Sequence, residues 1–143
     1  MNKISTFSIK DSIIIFSIVI VFIAVFYIFY IEITKKSKIN YSKKNFYYVK
    51  EQLFIEINKC KNNEKNWFSK ISCEEKLSKN IISDYFNNTL KLINPYDEQE
   101  GVGEAPGSVQ IQLKDELIIL SIDIDANGGI DIEHKIYIYK QFK

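Results

Sequence analysis

The residues best suited to chemistry form one short run, Asp123-Ile124-Asp125-Ala126-Asn127-Gly128-Gly129-Ile130-Asp131. Its side-chain oxygens stand at positions 1, 3, 5 and 9 of a calcium-binding loop, with Gly128 at position 6 and Ile130 at position 8. Calcium is a hard cation that prefers such oxygens. Position 12, where a bidentate glutamate normally closes the shell, is His134. The flanks alternate like strands rather than helices. A plainer reading uses the same residues: Asn127-Gly128 is a hairpin-turn signal, and acids on an outward strand face are ordinary. If calcium binds, the expected ligands are Asp123, Asp125, Asn127 and Asp131. No other cofactor is expected.

The second group is a pair of thiols, Cys60 and Cys73. In a small exported domain such a pair forms a disulfide, and in the cytosol it stays as two inert thiols. A bridge here would close a loop of ~14 residues and contribute about 3 kcal/mol by chain entropy. A metal pair would be incomplete, because His134 is the only histidine. His134 also has no serine, cysteine or acid partner at a recognisable spacing, so it reads as a packed or edge residue on a strand. No nucleophile elbow, zinc-protease helix or nucleotide fingerprint occurs. The glycine-rich stretch 97–107 lacks the ending of a phosphate loop and follows a helix instead of a strand. No catalytic residues are expected, and the chain does not read as an enzyme.

The elements that must carry these residues begin with an apolar run. From Ile13 to Ile31 only Ser17 is polar and no residue is charged. At about 1.5 Å per residue, ~19 residues span roughly 30 Å, the thickness of a bilayer core. The run is longer than a signal-peptide core and ends in Tyr27, Phe29 and Tyr30 with no small-residue cleavage site. A retained single membrane helix over 13–34 is expected, after a leader at 1–12 containing Lys3 and Lys10. Ser17 should bond back to its own helix, and Glu32 should reach the interface. The remainder, 35–143, suffices for one small domain.

Its charge is almost balanced, with 19 Lys+Arg against 18 Asp+Glu, which gives no basic surplus for nucleic acid. The lysines after the span place the domain in the cytoplasm by the positive-inside rule, whereas the cysteine pair argues for the outside. From Tyr41 to Cys60 the residues Phe46, Val49, Leu53, Ile57 and Cys60 recur at helical spacing. No Pro or Gly separates this helix from the span. A polar loop carrying Trp67 and Phe68 follows. A second helix is expected over 74–93, with Glu74 and Glu75 in its first turn and Asn94-Pro95 ending it. Then the period changes to two. Val109, Ile111 and Leu113, then Ile118, Leu120, Ile122 and Ile124, then Ile130, Ile132, His134, Ile136 and Ile138 each share a face. Three strands joined by tight turns make an antiparallel meander, whose greasy face needs the 41–60 helix as its second layer. The fold class is α+β. Gln110, Gln112, Tyr137 and Tyr139 would face outward.

This order of parts resembles the type IV pilin and type II secretion pseudopilin superfamily. The resemblance rests on the apolar helix running into NFYYVKEQLFIEINKC (45–60), on Cys73, on INPYD (93–97), and on DIDANGGIDIEHKIYIY (123–139). It covers roughly 13–139. It implies an N-terminal helix anchored in the inner membrane, packed in a filament beside other pilin-like subunits. It also implies a periplasmic or extracellular domain with a Cys60–Cys73 disulfide. The family's Gly, Phe and Glu around the processing site have no counterparts here. The other reading is a single-pass, membrane-anchored sensor or accessory domain that binds a ligand or calcium.

Overall fold

The computed structural model describes residues 9–62 and 66–138. The expectations for Lys3, most of the leader and Tyr139 lie outside the described residues. Helix α1 spans Ile9–Lys61, so the apolar run and the amphipathic stretch are one helix, as the absence of Pro and Gly permits. The chain divides into two compact units, Met1–Lys36 and Ser37–Lys143.

In the first unit, α1 contains the one stretch among the described residues long and apolar enough to cross a membrane. Its side chains are exposed all round; Phe22, Phe26 and Ile28 are typical. A helix apolar on every face is suited to a lipid surround, where each backbone group must bond within the helix. Ser17 Oγ donates to Ile13 O at 2.9 Å, as expected for a hydroxyl in such a helix. Glu32 and Lys36 pair at 2.8 Å one turn apart.

In the second unit, the remainder of α1 buries one stripe: Phe46, Val49, Leu53, Ile57 and Cys60. That stripe meets a three-stranded antiparallel sheet of β3 (Val109–Lys114), β4 (Leu117–Ile122) and β5 (Ile132–Tyr137), in the order β3-β4-β5. Val109, Ile111, Ile118, Leu120, Ile122 and Ile136 supply the sheet side of the core. The fold is α+β, a sheet with one greasy face laid on a helix. The β3–β4 turn is tight, with Lys114 opposite Leu117 and Asp115 at φ 49°. The β4–β5 connection is not tight. Ile122 pairs with Ile132, so the chain from Asp123 to Asp131 forms a broad loop. Ile130 therefore leaves the sheet face and is 59% exposed.

Between α1 and β3 two expectations are corrected. The stretch around Trp67 and Phe68 is not simply a polar loop: β1 (Asn66–Trp67) and β2 (Ile71–Ser72) form a small hairpin, and both aromatics are buried. Phe68 N donates to the buried Glu56 carboxylate of α1 at 2.6 Å, which draws these rings inward. The second helix is also shorter than 74–93. Helix α2 spans Lys79–Asp84 and passes into a π-helical turn, Tyr85–Thr89. Ser78 is the N-cap, its hydroxyl accepting from Ile81 N, so Glu74 and Glu75 lie before the helix. The π turn presents Asn87 to Val102, whose N–H and C=O it bonds at 2.9 and 2.8 Å. Lys91, at φ 52°, turns the chain out before Asn94-Pro95 is reached. Ile82 and Phe86 are the buried members of this segment.

Candidate functional site

The β4–β5 loop begins where the sheet ends, and its conformation follows from the acids it carries. Asp123 is buried and accepts from Asn127 N at 3.1 Å and Gly128 N at 2.6 Å. Asp125 accepts from Asn127 N at 3.3 Å and from its side-chain amide at 3.0 Å. Asn127 Oδ1 accepts from Gly129 N at 2.9 Å. Asp131 accepts from Ile124 N at 2.8 Å, and its own N–H donates to Ile122 O. These are Asx-type turns in which carboxylates take the place of strand partners. Ala126 (φ 58°) and Gly128 (φ 96°) supply the left-handed residues that let the chain curl around the carboxylates.

The result is a cluster. Single carboxylate oxygens of Asp123, Asp125 and Asp131 lie within 4.8 Å of one another. Of the residues named from the sequence, these three converge. Asn127 sits in the loop with its oxygen turned to Gly129. His134 does not join them: it lies in β5 opposite Leu120. The donor set is hard oxygen throughout, the chemistry that suits calcium or magnesium, and it lacks the bidentate acid that would close an all-protein shell.

One residue that composition and spacing did not single out supports the loop. Tyr96 Oη donates to Ile124 O at 2.6 Å. Burial, and then the charges of Asp125, Asp123 and Asp131, push its phenol above the ordinary value. It stays protonated and keeps donating. The early signals were its place beside Pro95, in a segment that had to turn, and its membership of the string INPYD (93–97).

The cysteines lie away from this loop. Cys60, in the last turn of α1, and Cys73, just past β2, stand at disulfide-bonding distance with Cα atoms 5.6 Å apart. His134 is half-buried beside α1. Burial first, then the Lys50 ammonium, holds its imidazole below the ordinary range. A neutral imidazole there is a packing residue with a polar tip.

No family model, curated protein or solved structure matches this chain.

Proposed function

We propose that the protein is a structural, pilin-like subunit, a minor pilin or pseudopilin of a type IV pilus or type II secretion-type filament. In this reading α1 anchors the chain in the inner membrane over 13–34 and packs against related subunits. The domain at 35–143 stands on the periplasmic or extracellular side. The observation that carries the reading is α1 itself. One helix bears a fully exposed apolar stretch and then the buried stripe under an antiparallel sheet. That order suits an anchored subunit whose work is done by surfaces. Membrane lipid and other subunits are the partners; the near-zero net charge offers no attraction to nucleic acid.

Two measurements test this. Cys60 and Cys73 in intact cells should resist a thiol reagent until a reductant is added. Labelling that needs permeabilisation but no reductant would place the domain in the cytosol and remove the reading. Cross-linking in native membranes should capture pilin-like subunits; capture of the protein alone would count against a filament.

A second reading is favoured by the convergence of Asp123, Asp125 and Asp131. It is an anchored accessory domain whose β4–β5 loop takes calcium, with loop carbonyls and water completing the shell. Calcium should then raise the melting temperature of the full chain in detergent, and Asp125→Asn with Asp131→Asn should abolish the rise. An unchanged melting temperature at millimolar calcium rejects it.

A further inference from the structure

A groove of about 230 Å³ runs between α1 and β5. Its helix wall includes Lys50, Phe54 and Ile57, which share one face at helical spacing. Its strand wall is made of consecutive β5 positions, from His134 to Tyr137, and no β4 residue lines it. The groove therefore follows the outer edge of β5, the last strand of the sheet.

The register decides which backbone groups face that edge. Ile138 N donates to Glu116 O, which places Ile136 and His134 among the positions bonded to β4. Alternation then turns the N–H and C=O of Glu133 and Lys135 outward. The groove wall is apolar: Phe54 is 59% exposed, above the buried Ile57 and Ile136. Among the described residues, the charged side chains that line the groove are lysines, including Lys50 on α1 and Lys135 on β5. Lys135 also forms an ion pair with Glu133 at 3.4 Å, on the exposed face of the strand, which an incoming carboxylate would compete with in solvent.

We propose that this groove receives an extended acidic segment of a partner protein, added as a further strand along β5, with an apolar side chain against Phe54 and carboxylates beside Lys50 and Lys135. Strand addition supplies partners for the outward amides, and its alternating side chains fit a site with an apolar wall and a basic rim. A phosphate ion or lipid headgroup would meet the lysines alone and leave both the strand edge and Phe54 unmet. The inference concerns the second unit only and does not depend on the filament reading.

The test uses the full chain in detergent micelles, with capped peptides of alternating glutamate and valine, or of lysine and valine, and with inorganic phosphate. The Glu–Val peptide should slow hydrogen exchange at the Glu133 and Lys135 amides, and neither other probe should. Reversal of charge in Lys50→Glu with Lys135→Glu should weaken binding about tenfold or more. Phe54→Ser, which removes an exposed side chain outside the core, should weaken it with the melting temperature unchanged. Absence of protection at those amides, equal binding of the Lys–Val peptide, or unaltered affinity in both variants overturns the proposal. Protection that grows with protein concentration alone would make a second copy the occupant and overturn it equally.

Discussion

Tyr96 gathers several segments of the globular unit around one ring. Its hydroxyl holds Ile124 O, the Lys38 ammonium lies 5.4 Å from the ring centroid, and Gly107 lies against the ring edge. Gly107 is at φ 85°, where side chains are strained, and an added Cβ would collide with Tyr96 and come within 2.7 Å of Asn94 Oδ1. Gly107→Ala should therefore destabilise the fold by roughly 2 kcal/mol or more, read as a shifted urea midpoint. A second single-residue consequence concerns protons. His134 has a folded pKa below its ordinary 6.5, through burial and then Lys50. A depressed histidine favours folding when neutral. Its contribution is present above pH 6.5 and is lost as pH falls through the lowered folded value. Lys50→Met should raise the His134 pKa towards 6.5, as followed by its ring-proton NMR shifts. An unmoved titration would mean that burial alone sets it.

At the scale of elements, the β1–β2 hairpin depends on two attachments to α1. One is the Cys60–Cys73 pair. Replacing both cysteines with serine should cost about 3 kcal/mol, measured by denaturant unfolding against the oxidised protein. The other is Glu56, which accepts from Phe68 N at 2.6 Å and from Lys59 Nζ at 2.8 Å. Glu56→Ala would leave a buried amide without a partner and should cost about 1–3 kcal/mol, with local loss of hydrogen-exchange protection at Phe68. This hairpin was not readable from spacing. Each strand has two residues, too few to show a period, and the apolar pair Trp67-Phe68 sits among polar neighbours. The three longer strands were readable, because six-residue strands with one buried face alternate. For α2 the cap at Ser78 was present in the sequence and outweighs Glu74 and Glu75. Its end was hidden, since Lys91 adopts a left-handed conformation that no residue type announces. In the β4–β5 loop the spacing of the acids was legible. Their use as acceptors for Asn127, Gly128 and Ile124 amides was not, because that depends on the loop's curl.

For the molecule as a whole, the most legible property was the apolar run, since composition alone decides whether a helix tolerates hydrocarbon. An arginine at its centre should test that directly. Val21→Arg opposes insertion by roughly 3 kcal/mol on a translocation scale. The variant should shift from the membrane pellet to the alkaline-extractable fraction. Retention in the pellet at wild-type level would argue against a lipid-facing helix. What the fold adds is two separate fixings of the amphipathic stretch of α1 within the globular unit. Ser42 and Asn45 fasten the near part of the amphipathic stretch to Gly107 and Ile93 by hydrogen bonds, and Cys60 fastens its far end covalently. A pull along that stretch would therefore load both fixings together in shear, and its far end could not peel away while Cys60 stays joined to Cys73.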